Sequence, residues 1–110
     1  MSHKDRKTKA DSITAADFPA LRSFLRGYFH EDVADEYGSL EEAVRQFCED
    51  AEPDERRRVA NEWVRFVAQT KGWPLEAINR DLIGQLGSAN RLSPADLEMI
   101  SRTFREFDRG

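Results

Sequence analysis

Apolar residues recur at spacings of three and four along most of this chain, and strict apolar–polar alternation nowhere survives four positions outside such a pattern. The clearest run is Leu40, Ala43, Val44, Phe47, Cys48 and Ala51, introduced by Ser39 with Glu42 three residues on, the signature of a capping box. A second helix is expected from Pro53 to about Thr70, with Val59, Trp63, Phe66 and Val67 on one face and Gly72 as its stop. Leu75, Ile78, Leu82, Ile83 and Leu86 predict a third between Pro74 and Leu86, closed by Gly87. Ser93 as N-cap, Pro94 at the first position and Leu97, Ile100, Phe104 and Phe107 mark the last. Ahead of all these, Leu21, Phe24, Leu25 and Tyr28 share one side of a helix from Pro19 to about Phe29. The expected fold is all-α, a compact bundle of about five helices with no sheet, occupying residues 14–110 behind a disordered basic tail at residues 1–13.

The length, 110 residues, fits one domain with one core. No apolar run approaches the roughly 20 residues of a membrane span, and the opening MSHKDRKTKADS has basic residues with no apolar segment behind them. This reads as a cytoplasmic protein without a leader or an anchor. The single cysteine, Cys48, falls on the apolar face of a helix, which excludes an internal disulfide and fits a reducing compartment. Because each helix carries one inward stripe with few apolar residues left over, the free chain is expected to be a monomer.

Charge is unevenly distributed. Residues 1–27 hold six Lys and Arg against three Asp and Glu, residues 28–55 one against eleven, and residues 56–110 ten against seven, for a net charge of −4. All the excess acid therefore lies in the middle segment. Glu41 and Glu42 belong to the first turn of the Ser39 helix, where a carboxylate meets the positive end of the helix dipole. Glu49, Asp50 and Glu52 close that helix while Arg56, Arg57 and Arg58 open the next, so a mutual ion-pair cluster is expected across the turn. Glu31, Asp32, Asp35 and Glu36 remain, explained by no helix end and no neighbouring cation.

These four lie in YFHEDVADEYG, residues 28–38, with Tyr28, Phe29, His30 and Tyr37 among them. A metal centre would want further histidines or a ligand set at defined spacing, and the chain has neither an H-E-x-x-H nor an EF-hand pattern. A catalytic carboxylate pair would want a substrate cleft that a bundle this small has little volume to build. No metal or other cofactor is expected, and no enzyme activity. His30 reads as a hydrogen-bonding residue at the core edge. Two readings stay open: a solvated acidic loop in a small helical interaction module, and a docking face for a basic partner, which the interleaved aromatic residues favour.

The segment FPALRSFLRGYFHED (Phe18 to Asp32), the Tyr37-Gly38 pair, SLEEAVRQFCEDA and the arginines at Arg56 to Arg58 resemble the immunity proteins of bacterial contact-dependent growth inhibition systems. The resemblance runs from about Phe18 to Leu86 and is weaker beyond it. Its most recognisable feature here is Tyr28, Phe29, His30, Glu31 and Asp32, with Glu31 standing where the family would have glutamine. The resemblance implies a small helical antitoxin, itself without catalysis, that binds and blocks the C-terminal toxin domain of a cognate effector delivered by a neighbouring cell. Toxins of such systems are often nucleases, whose active sites must be basic to hold phosphate. On this reading Glu31, Asp32, Asp35, Glu36 and Tyr37 form the toxin-binding face, while Tyr28, Phe29, His30 and Asp32 are the family motif with a mainly structural role. A helix-turn-helix DNA binder in residues 54–86 fits less well, because the would-be recognition helix holds Arg80 against Glu76 and Asp81. Direct contact with nucleic acid is not expected.

Overall fold

A computed structural model of the chain describes residues 13–109. Six helices follow a 3-10 turn at Ala15–Asp17: α1 Pro19–Tyr28, α2 Val33–Tyr37, α3 Leu40–Asp50, α4 Pro53–Gln69, α5 Leu75–Gly84 and α6 Pro94–Arg109. Among the described residues there is no strand, so the fold class is the expected one. The added element is α2, which forms inside the acidic segment read from sequence as a loop. Among the helices, α1 packs on α4, α3 on α6 and α4 against α6, while α1 also meets α3 and α2 lies on α3.

The core is aromatic where these helices cross. Phe24 of α1 lies 4.7 Å from Phe47 of α3 and 5.9 Å from Phe104 of α6, measured between ring centres. Trp63 of α4 stacks on Phe66 at 5.5 Å and donates its indole N–H to Ser101 Oγ of α6 at 2.9 Å. Trp63 is thus satisfied as well as buried, as a core indole must be. Trp73, at the α4–α5 connection, is only partly buried. The caps form where the sequence placed them. Ser39 Oγ accepts from Glu42 N–H at 3.1 Å, and Ser93 and Asp96 exchange reciprocal backbone bonds at 3.1 and 2.9 Å.

Side chains from distant elements complete the backbone ends that helices leave open. Buried Glu62 of α4 accepts the Leu21 N–H in the first turn of α1 at 2.8 Å. Asn79 of α5 accepts from Leu92 N–H at 2.7 Å and donates to Leu92 O at 2.9 Å. Asp81 accepts from Ile13 N–H at 3.0 Å. Ile13 is itself buried, so the last residue assigned to a disordered tail belongs to the core. The rest of the expected tail lies outside the described residues.

Three sequence expectations need correction. Val67 and Ile83, placed on inward stripes, are 40% and 39% exposed. Each follows a better-buried neighbour, Phe66 and Leu82, and one residue turns a helix by about 100°, which carries both off the buried face. The third concerns the expected ion-pair cluster. Among the described residues no salt bridge joins Glu49, Asp50 or Glu52 to Arg56, Arg57 or Arg58. Arg56 instead donates to the Cys48 carbonyl at 3.0 Å, and Asp50 takes the Gln46 amide at 2.8 Å. The open carbonyls in the last turn of α3 compete for the same donors as the carboxylates.

Two outcomes follow from this packing. Phe47→Ala, which empties a site 3% exposed at the centre of the ring cluster, should lower stability by about 3–5 kcal/mol in urea unfolding. Burial pushes the Cys48 thiol from an ordinary 9.0 up to about 11, against the opposing pull of Arg56 and Arg45. Below pH 9.0 the thiol is protonated in both states, and as pH rises towards about 11 only the unfolded chain loses the proton. Stability should therefore fall across that window, and a Cys48→Ala variant should show a smaller fall.

Candidate functional site

The motif residues begin where α1 stops. Phe29 is fully buried at the end of α1, and Val33 plugs the start of α2 into the core at 5% exposure. These two apolar anchors hold a short acidic span between them. Asp32 is the N-cap residue of α2, and Asp35 and Glu36 lie in its first turn. Gly38, at φ 95°, then turns the chain sharply and donates its N–H to Ala34 O at 2.9 Å before Ser39 opens α3. That left-handed conformation is one glycine adopts freely and other residues rarely.

Aromatic rings run from the core out to this span. Tyr28 stacks on buried Phe24 at 5.8 Å, Tyr37 stacks on Tyr28 at 5.6 Å, and the His30 ring lies 6.0 Å from Tyr37. His30 is fixed at both nitrogens. Nδ1 accepts from the Asp32 N–H at 3.0 Å, which leaves the ring proton on Nε2, 2.8 Å from Glu36 Oε1. Glu36 therefore has a donor, and Asp35 and Glu36 lie at a helix start. Both facts correct the expectation that nothing local explains them. The carboxylates of Glu31, Asp32 and Asp35 are exposed and make no hydrogen bond or ion pair among the described residues.

The model of a family described as CdiI immunity protein matches residues 17–104. The chain belongs to the CdiI immunity protein family. Neither the curated proteins nor the solved structures give a match to it. The family match spans the whole acidic segment and continues beyond Leu86 through most of α6, where the residues themselves carried less of the resemblance. An immunity role follows from this membership. Among the described residues of this CdiI family member, no group of His, Cys, Asp and Glu could hold a metal ion, and no helix is long and apolar enough to cross a membrane.

The structure adds residues to the site that sequence spacing missed. Asp50, from the far end of α3, lies at 3.5 Å from the Tyr28 hydroxyl, at the long limit of a hydrogen bond. Burial raises the Tyr28 phenol above its ordinary value of 10.0, and Asp50, Glu55 and Glu36 add to the rise. Carboxylates from α2, α3 and α4 thus all act on one tyrosine. On the other side, Asn90 Nδ2 donates to the carbonyls of Phe29 and His30 at 3.1 and 3.0 Å. Helical periodicity reports neighbours three or four residues apart. It is silent on partners from other elements, and only the turn chemistry of Gly87 and Ser88 signalled that Asn90 follows a sharp bend.

Tyr37 is also raised above 10.0, chiefly by burial and then by Glu36. As Tyr28 and Tyr37 are the only tyrosines, phenolate absorbance reads this site alone. The native protein should ionise at higher pH than the urea-unfolded chain, and Asp50→Asn should bring the Tyr28 half of the transition down. The linkage sign is that of a raised group: its contribution to stability is complete below pH 10.0 and is lost as pH rises through the native transition.

Proposed function

We propose that this immunity protein binds the C-terminal toxin domain of a contact-dependent growth inhibition effector through Glu31, Asp32, Asp35, Glu36 and Tyr37, that the toxin is a nuclease, and that the free chain is a monomer. One observation carries the reading. Glu31, Asp32 and Asp35 present exposed carboxylates, without a partner among the described residues, on and just before a short helix that an aromatic column joins to the core. No Lys or Arg occurs from residue 27 to residue 44 to neutralise them.

A basic nuclease surface is the natural complement of such a face. Opposite potentials steer the two proteins together and raise the association rate, and a partly buried aromatic such as Tyr37 supplies apolar area beside the charges. The backbone that carries these carboxylates is held between buried Phe29 and Val33, so less chain freedom is lost on binding than from a loose loop. The chain itself supplies no chemistry to this event; it occupies or covers the toxin.

Asp35→Lys combined with Glu36→Lys should leave the fold intact. The stability cost should stay within about 1 kcal/mol, because an exposed pair such as His30–Glu36 contributes no more than that. The same double variant should associate more slowly with the toxin domain and fail to protect cells exposed to it. Wild-type association should weaken with added salt, as screening shortens from about 10 Å at 0.1 M to about 3 Å at 1 M. A double variant that folds, binds and protects like wild type would refute the acidic face. Attention would then pass to the groove between α4 and α6, where Val64 is 65% exposed beside a cavity of about 290 Å³.

A further inference from the structure

The corner that leads into the acidic helix is held from outside. Phe29 ends α1, so its carbonyl and that of His30 lie beyond the helix ladder and need donors from elsewhere. Phe29 O accepts from Ala89 N–H at 2.9 Å and from Asn90 Nδ2 at 3.1 Å. His30 O accepts from Val33 N–H at 3.2 Å and from the same Asn90 nitrogen at 3.0 Å. The Val33 bond closes the turn before α2, whose own ladder starts with Glu36 N–H to Asp32 O at 2.9 Å. One side-chain amide therefore grips both the end of α1 and the turn that leads into α2.

Asn90 is itself held. Ser88 Oγ donates to Asn90 O at 2.8 Å and accepts from Asn90 N–H at 3.1 Å. Gly87, at φ 81°, makes the bend that delivers this turn, and a Cβ there would run into the Arg26 side chain of α1. The turn is thus seated against the helix whose end it caps. A five-residue helix such as α2 has little stability of its own and depends on what fixes its two ends. Gly38 and Ser39 tie the far end to α3, and the Asn90 amide ties the near end.

We propose that Asn90 is the positioning residue of the toxin-docking face: its amide sets where α2 begins and so fixes where Asp32, Asp35 and Glu36 point. The inference rests on the docking reading above. Asn90 needs no contact with the toxin, since it acts through the carbonyls of Phe29 and His30. Only a side chain with two donors on one nitrogen, at this reach, serves both carbonyls. Aspartate has the shape without the donors, and alanine has neither.

The test compares wild type with Asn90→Ala and Asn90→Asp, using Ile100→Val as a core-shortened control for general loss of stability. The partner probe is the C-terminal toxin domain of the cognate contact-dependent growth inhibition effector. Amide exchange at Val33, Glu36 and Gly38 should speed up about tenfold in both Asn90 variants, the usual effect of losing hydrogen bonds at one corner, and should stay near wild type in the control. Association with the probe should slow in the same two variants and keep its rate in the control. Unchanged exchange at those three amides would overturn the proposal. Faster exchange with unchanged association would overturn it as well. In that case Asp35→Lys with Glu36→Lys separates the causes: loss of binding in that variant keeps the docking face and removes only Asn90, whereas retained binding removes the face itself. Should the Asn90 variants not fold, the wild-type protein still decides. Its Asn90 side-chain protons should exchange well below the rate of those on exposed Gln85, and equal rates would refute the bracket.

Discussion

Phe24 holds the structure together at the point where most of it meets. Its ring lies within 6 Å of Tyr28, Phe29, Phe47 and Phe104, at 5.8, 5.4, 4.7 and 5.9 Å. Those contacts join α1 to α3 and α6, and they also reach the first residues of the acidic segment. Stacked and edge-on aromatic pairs have preferred geometries, so a cluster of them specifies orientation more sharply than aliphatic packing of equal area. The site inherits that precision. Tyr28 rests on Phe24 and Tyr37 on Tyr28, which makes the acidic helix an outgrowth of the core rather than an appended loop.

Backbone ends are the second constraint, and the same solution recurs. Glu62 caps the start of α1, Arg56 the end of α3, Asn90 the corner after α1, and Asn79 and Asp81 bind backbone at Leu92 and Ile13. Each spends a polar side chain of one element on an open group of another. Such bonds contribute modestly when made and cost more when one partner is removed, because a buried donor or acceptor is then left without water. None of the buried side-chain polar atoms among the described residues lacks a partner. A bundle with short helices gains definition in this way where hydrophobic area alone would leave sliding freedom.

The same economy shapes the charge. An acidic stretch with eleven carboxylates and one arginine would repel itself if it were compact, and the fold spreads these groups over α2, α3 and the start of α4. Some have local partners: Glu41 the Arg45 guanidinium, Asp54 that of Arg57, and Glu36 the His30 Nε2–H. Glu31, Asp32 and Asp35 are exposed, and Asp50 lies against the Tyr28 hydroxyl. The repulsion among them would turn to attraction toward the basic partner proposed above.

The sequence alone determined the helices, their caps and most of the core, because periodicity, Ser39, Ser93 and the prolines act over three or four residues and need no distant partner. It marked Phe24, Phe47, Trp63 and Phe66 as buried, and it located the acidic segment. It did not reveal α2, since five residues rich in Asp and Glu carry too little apolar pattern to declare a helix. It expected an ion-pair cluster at Arg56 to Arg58, where tertiary structure gave one of those arginines to a carbonyl instead. Exposure of Val67 and Ile83, burial of Ile13 and the grip of Asn90 on Phe29 and His30 were likewise decided only by packing. Each depends on which element lies alongside, and that is set by contacts between residues tens of positions apart, which local spacing does not encode.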